Sequence, residues 1–375
     1  MSMKGGEPEA STQAPGRKGY DVRFPCKKCG ARLNFTPGTK FLTCPFCATE
    51  NEIQVDEQPV EELDFREQLK RLEEAEPHAT VETVKCGACG GEVKPPPNVT
   101  SFACPFCGTD IVAESRECSV IRPRSLLPFK VTRDAAADSF RKWIRSRWFA
   151  PNALKDRSLI DAAITGLYLP AWTFDSLVDT AYTGQRGDAY YVTVTVMVNG
   201  KPKPVQQRRI RWRPASGMVR NKFDDTLVLA TKSLPSSRTQ ALEPWDLNAL
   251  TPFNADFLAG FTAERYQVDL PEGFGIAQGM WQASIDATIR SDIGGDEQRI
   301  ESKQSKYLDI RFKHILLPVW VSAYRFHGKV FQFLVNARTG EVQGERPYSW
   351  SKISLAVVTG LIFVGVLIWF FANAK

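Results

Sequence analysis

Histidine is scarce in this sequence. Only His78, His314 and His327 occur in 375 residues, and they are scattered, so no histidine-centred catalytic array is legible. There is no G-x-x-x-x-G-K-[ST] segment, which leaves out a phosphate-cradling loop and a helicase motor. There is no G-x-S-x-G nucleophile turn either. A strong excess of one charge is also lacking: 48 Lys and Arg against 42 Asp and Glu give +6, too weak to name a nucleic-acid partner. The N-terminus has no apolar run, so a secretory signal is not expected and residues 1–20 read as a disordered tail. What is present is ordinary globular usage, 43% apolar and 24% charged, which excludes wholesale disorder. The length implies two or three structural units.

Cysteine carries the clearest pattern. Eight of the nine fall in four C-x-x-C pairs. Cys26-Lys-Lys-Cys29-Gly30 is followed, after an intervening stretch, by Cys44-Pro-Phe-Cys47-Ala48. Cys86-Gly-Ala-Cys89-Gly90 and Cys104-Pro-Phe-Cys107-Gly108 repeat the spacing, including an aromatic (Phe41, Phe102) ahead of each C-P-F-C knuckle. This is an internal duplication. Two thiolates on a tight turn bind one ion as a pair, and a facing turn completes a tetrahedral shell for Zn²⁺. The expected ligands are therefore Cys26, Cys29, Cys44 and Cys47 for one ion, and Cys86, Cys89, Cys104 and Cys107 for a second. Four thiolates leave no open position, so both ions are expected to be structural. Glycine after the second cysteine permits the positive φ that closes the turn; Ala48 departs from this and should strain its knuckle. Redox C-x-x-C motifs are the alternative, and identical spacing in two copies disfavours them. Cys118 lies outside the pattern and reads as a buried thiol.

Neither ribbon has a dense basic stripe. Residues 21–55 carry a net +2, residues 84–114 a net −1, and Asp56 to Glu76 between them a net −6. Phosphate neutralisation asks for more positive charge, so protein binding is the better expectation here. The acidic stretch reads as a short helix with Leu63, Leu69 and Leu72 near one face.

Ile353 to Phe371 is nineteen residues without a charge, thirteen of them Leu, Ile, Val or Phe. As a helix it spans roughly 29 Å, enough to cross the hydrocarbon of a bilayer. Trp350 and Trp369 lie where interfacial anchors belong. A buried core helix is the alternative, but little polar sequence follows to cover it. Because C-x-x-C metal sites need reduced thiols, the expected topology is a single-pass tail anchor in the inner membrane with the bulk of the chain cytoplasmic.

The remaining body, Ser115 to Ser349, reads as α+β. Thr132 is placed to cap a helix over Arg133–Phe149, with Ala136, Phe140, Trp143, Ile144 and Trp148 on one face and Arg141, Lys142 and Arg145 on the other. A solvated basic face is preferred there to a membrane-surface helix. Tyr190–Val198 and Val205–Arg213 alternate on either side of Asn199-Gly200 and predict a hairpin, with Arg209, Arg211 and Arg213 in water or on an acidic partner. Leu250-Thr-Pro-Phe253 resembles Leu127-Pro-Phe129, a helix is expected over Gly275–Arg290, and His314-Ile-Leu-Leu-Pro-Val-Trp320 resembles Leu167-Tyr-Leu-Pro-Ala-Trp172, so two related helix-on-antiparallel-sheet modules are expected. Asp292-Ile-Gly-Gly-Asp296 is the one acidic, glycine-rich loop with cation-binding chemistry, although a turn is the simpler reading.

These features together resemble bacterial membrane-anchored zinc-ribbon proteins of the TFIIB type, often labelled primosomal-helicase-like. The resemblance is carried by the paired ribbons, Ser125-Leu-Leu-Pro-Phe129, Trp148-Phe-Ala-Pro151, Phe223-Asp-Asp-Thr-Leu-Val-Leu-Ala230, Pro244-Trp-Asp-Leu247 and Asp292-Ile-Gly-Gly-Asp296. To these are added His314-Ile-Leu-Leu-Pro-Val-Trp-Val-Ser-Ala-Tyr-Arg325 and the run from Val335-Asn-Ala-Arg-Thr-Gly to Pro-Tyr-Ser349. Some similar proteins accompany phage-shock and flotillin-like envelope proteins, which implies an adaptor at the membrane. The helicase label transfers only the cysteine knuckles, because the motor motifs are missing.

The expected organisation is a tail (1–20), zinc ribbon 1 (21–55), an acidic helical linker (56–83), zinc ribbon 2 (84–114), α+β module 1 (115–248), α+β module 2 (249–349) and a transmembrane anchor (350–375). The expected role is a cytosol-facing adaptor that docks protein partners, with envelope-stress handling as its implied setting. No catalytic residue and no small-molecule substrate is expected. A membrane-tethered nucleic-acid binder is the alternative, and a cation-dependent enzyme at Asp292 and Asp296 a third.

Overall fold

A computed structural model describes residues 26–31, 33–54, 60–74, 84–85, 92–93, 99–103, 110–112, 121–155, 164–198, 201–234, 236–327 and 329–373. In chain order its strands and helices are β1 (Asn34–Phe35), β2 (Phe41–Thr43), β3 (Glu50–Glu52), β4 (Leu63–Asp64), α1 (Phe65–Glu74), β5 (Val84–Lys85), β6 (Glu92–Val93), β7 (Val99–Ala103), β8 (Asp110–Val112), β9 (Ser125–Leu126), α2 (Arg133–Ser146), β10 (Thr165–Val198), β11 (Lys201–Leu229), α3 (Ser236–Gln240), β12 (Thr251–Pro252), β13 (Thr262–Glu264), α4 (Leu270–Ile293), β14 (Glu297–Phe326), β15 (Lys329–Asn336), β16 (Val342–Gly344) and α5 (Trp350–Asn373). The architecture is mixed α+β, as expected.

The body is organised by three long antiparallel strands in the order β11-β10-β14. The expected hairpin is there and far longer than its alternating segments: β10 and β11 pair from Ala171 opposite Leu229 to Val198 opposite Lys201. β14 stops pairing with β10 at Gly187. Beyond that point, among the described residues, β10 and β11 pair only with each other for eleven residues of β10, about 35 Å. Its side chains there are mostly exposed, including Tyr191 and Met197.

The two Pro-Trp segments that resemble each other are neighbours. Leu169 lies opposite Leu317 and Pro170 opposite Leu316. β9 pairs parallel with β14 at Ile315–Leu316, and β13 pairs parallel with β10 at Leu167–Tyr168, so each segment has a short parallel strand on its outer side. β12 pairs with β9, which brings Leu250-Thr-Pro-Phe253 beside the segment it resembles. The boundary expected at 248/249 therefore runs through one sheet rather than between two: β14 from the second segment and β10 from the first share their ladder.

Both faces of this central region are covered, which is why its strands read as nearly continuous apolar runs. On one face Tyr168 joins a core with Phe129, α2 and the first ribbon, while Trp172 and Phe174 meet α4. The other face packs Leu169, Ala171 and Leu317 beneath Leu234, Leu242 and Trp245. α4 is capped by Asp269, whose carboxylate accepts the Glu272 N–H at 2.8 Å, and it buries Phe274, Ala277, Trp281, Ile285 and Ile289 at three- and four-residue spacing. Gly273 lies where α4 crosses Trp172; a Cβ there would come within 2.8 Å of the indole.

α2 begins as expected, with Thr132 Oγ1 accepting the Ala135 N–H at 3.2 Å. It ends at Ser146 rather than Phe149, because Arg147 turns extended (φ −89°, ψ 99°). Trp148 consequently leaves the apolar face and is 69% exposed. The acidic helix starts at Phe65; Leu63 instead forms β4 against β14. Within α5, Trp350–Phe371 is a stretch of 22 residues long and apolar enough to cross a membrane, with none of it buried in the protein.

Candidate metal centre

The first ribbon is a three-stranded sheet, β1-β2-β3, with a cysteine knuckle before β1 and another between β2 and β3. The two knuckles close alike. Gly30 N–H donates to Cys26 O at 2.8 Å and Cys26 N–H to Ala31 O at 2.7 Å; Ala48 N–H donates to Cys44 O at 3.0 Å and Cys44 N–H to Thr49 O at 3.0 Å. Gly30 takes φ 71° and Ala48 takes φ 54°. The alanine thus adopts the left-handed conformation that the sequence assigns to glycine, with a steric cost from its Cβ.

These turns bring all four sulfurs together. Cys26 Sγ lies 3.5 Å from Cys47 Sγ, Cys29 Sγ lies 3.5 Å from Cys44 Sγ, and all four are within 4.8 Å of one another. A tetrahedron with metal–sulfur bonds of about 2.3 Å has edges of about 3.8 Å. The four cysteines could therefore hold a metal ion, and among the described residues no other group of three or more His, Cys, Asp or Glu side chains is so placed. Cys26 and Cys44 are buried, Cys47 is half-buried and Cys29 is exposed.

The cluster is electrostatically uneven. The Thr49 hydroxyl, 3.2 Å from Cys47 Sγ, and the Thr49 N–H pull the Cys47 thiol down to about 6. The Ala31 N–H pulls Cys29 the same way, but the neighbouring Cys47 and Cys44 sulfurs outweigh it and push Cys29 up to about 12. The Cys29 N–H holds Cys26 below the usual thiol range. Four thiols so close do not ionise together without a cation to share. Two supporting residues carry no motif in the sequence. Thr49 is one. Asn51 is the other: it is buried, accepts the Lys27 N–H at 3.3 Å and donates to Thr49 O at 3.2 Å, tying the knuckles together.

No family model and no solved structure matches this chain. One curated relative does. The chain is 24% identical over 342 residues to the uncharacterized protein YdjG of Bacillus subtilis (strain 168), covering 89% of this chain and 92% of that protein.

The ribbon is fastened to the body. Phe35 packs with Phe257 and Phe261, Phe35 N–H donates to Ala259 O at 3.1 Å, and Gly38 N–H donates to Phe129 O at 2.9 Å. A cleft of about 630 Å³ lies between Phe46, 81% exposed on its knuckle, and Arg133, Gly166 and Trp320. The second ligand set, Cys86, Cys89, Cys104 and Cys107, lies outside the described residues, as do Cys118 and His78. Of that expected ribbon, β5 to β8 are described: β5 pairs antiparallel with β6, while β7 and β8 extend the body sheet through β13, with Phe102 and Ile111 buried.

Asp292 and Asp296 are engaged separately. Asp292 Oδ2 accepts the Tyr182 hydroxyl at 2.6 Å, and Asp296 Oδ2 accepts the Ala189 N–H at 2.7 Å. Gly294 and Gly295 have φ 65° and 77°, so the segment is a glycine turn joining α4 to β14. His314 is buried in β14, its Nδ1 2.8 Å from Ile121 O.

A second polar cluster has no motif. Lys313, with a side chain only 8% exposed, reaches Asp225 Oδ1 at 2.6 Å and Glu62 Oε1 at 3.0 Å. Burial lowers its basicity, but the two carboxylates outweigh that and hold it above the ordinary lysine range. Asp175, at the bulge where β10 slips against both neighbours, accepts the Asp225 N–H at 2.5 Å; burial pushes it up to about 6. This cluster secures the linker strand β4 to the body. A lysine beside an apolar strand run, and the Asp-Asp pair that follows Phe223, are the only traces of it in the sequence.

Proposed function

We propose that this chain is a membrane-anchored zinc-ribbon adaptor, with its ribbons and body on the cytosolic face of the inner membrane, docking protein partners there. The observation that carries the reading is the convergence of Cys26, Cys29, Cys44 and Cys47 on a ribbon built into the core of the body. A thiolate tetrad has the chemistry of a structural Zn²⁺ site. The repeated spacing assigns a second ion to Cys86, Cys89, Cys104 and Cys107. The anchor is α5, and reduced thiols favour the cytosolic side. The resemblance to TFIIB-type zinc-ribbon proteins at the membrane points the same way, toward envelope-stress handling.

The test is in-cell crosslinking followed by detergent extraction, with intact chain beside Cys44→Ser. Two zinc ions per intact chain, one in the variant, and partner proteins captured only by the intact chain are expected. Absence of stoichiometric metal, or an identical partner set from both chains, overturns the reading.

The projecting β10–β11 ribbon favours one other reading. Lys201, Lys203, Arg208, Arg209 and Arg211 lie on its β11 strand, although Arg208 is paired with Glu297 at 2.8 Å. A nucleic-acid binder would use this arm, and its affinity would fall steeply with salt. No binding at low salt removes that reading.

A further inference from the structure

The apolar helix is clamped where it leaves the body. The Lys352 ammonium donates to Ala150 O at 2.8 Å, to Trp148 O at 3.2 Å and to Asn152 Oδ1 at 2.7 Å. Ser349 N–H donates to Phe149 O at 2.8 Å. The segment that follows α2 is therefore held against the first turn of α5. Whatever plane α5 enters, the C-terminal end of α2 lies beside it.

That end has the composition of a bilayer interface. Lys142, Arg145 and Arg147 are exposed there. Trp148 is 69% exposed and Trp350 is 78% exposed, two indoles at the level of the clamp. The basic face of α2, which the sequence alone assigns to water, thus lies next to the entry point of the span.

Between this segment and α5 opens a notch of about 800 Å³, lined by Trp148, Asn152, Lys352, Leu355, Thr359 and Phe363. Its residues on α5 recur at three- and four-residue spacing, so they form one face. From Lys352 to Phe363 this face runs about 16 Å along the axis, about half the hydrocarbon thickness. The notch begins at a fixed positive charge and descends along apolar side chains to mid-bilayer depth. Three acceptors already take the three N–H groups of Lys352, so it supplies field rather than a new hydrogen bond. Arg145 and Arg147 are the exposed donors nearby in the chain, the Arg147 guanidinium lying 5.1 Å over the Trp143 ring.

We propose that this notch binds an anionic phospholipid, its acyl chain along Leu355, Thr359 and Phe363 and its phosphate at the basic rim. The site rests on the membrane-anchoring reading above. A lipid is favoured over a soluble partner because the deep part of the notch lies on the face of the span itself, and the rim is complementary in charge to a phosphate.

The experiment uses full-length protein and vesicles of phosphatidylcholine with or without phosphatidylglycerol. Flotation reads anchoring, and lipid retained through detergent washing, counted by native mass spectrometry, reads the site. Intact protein should float with both vesicles and keep one phosphatidylglycerol per chain. Thr359→Phe, which fills the notch, should float equally and lose that lipid. Arg145→Gln with Arg147→Gln should reduce retention roughly thirtyfold, at about fivefold per charge. Equal retention of the two lipids by floating protein, or unchanged retention in Thr359→Phe, overturns the lipid site alone. Failure to float with either vesicle overturns the anchor as well.

Discussion

Phe35 of the ribbon and Phe257 of the body meet edge to face, with ring centroids 5.1 Å apart. Both rings are buried, and Phe261 completes the contact. The sheet that carries the four cysteines and the large sheet consequently share one core, and a change in either should be felt by the other.

Phe35→Ala should destabilise the chain by roughly 3–5 kcal/mol. Chelating the metal should lower the melting temperature of the β10–β14 sheet in the intact protein, followed by near-ultraviolet circular dichroism. A body transition indifferent to chelator would show that the ribbon and the sheet melt independently.

Ala48→Gly should stabilise the holoprotein by about 1 kcal/mol, because glycine occupies φ 54° without the Cβ clash. Gly30→Ala should cost a similar amount at φ 71°. Metal loss against a competing chelator checks both, and the two variants should move in opposite directions.

Lys313→Met should be destabilising by about 3 kcal/mol, since it strands Asp225 and Glu62 without their shared cation. Limited proteolysis should then cut sooner near β4, which loses its anchor. Adding Asp225→Asn should recover part of the loss, and strict additivity of the two changes would argue against a coupled pair.

Acid should act on His314. Burial holds its folded-state value down to about 4, against about 6.5 in the unfolded chain. The unfolded chain therefore takes up the proton first, and stability present above about pH 6.5 is lost as the pH falls towards 4. Asp175 works in the opposite sense: raised to about 6, it favours the folded state on acidification. Urea midpoints of His314→Gln and the parent chain across this window isolate the histidine. The parent should weaken more steeply, and parallel curves would remove His314 as the cause.

The knuckles of the first cysteine set, the apolar run of α5, α4 and the pairing of β10 with β11 were legible in the amino-acid order, because each depends on residues close in the chain. A C-x-x-C turn, an uncharged run, a helical apolar stripe and an Asn-Gly dipeptide declare themselves locally. Boundaries shifted where a neighbour intervened, as when Leu63 left its expected helix to pair with Phe312.

Other features came into being only when the chain closed on itself. Leu169 opposite Leu317, Phe35 against Phe257, and Lys313 against Glu62, 251 positions apart, depend on which surfaces exclude water together. The same is true of the clamp from Lys352 to Trp148. A lysine in a sequence is a solvated cation by default; its partners are chosen by the shape of the folded chain, and no spacing rule encodes that shape.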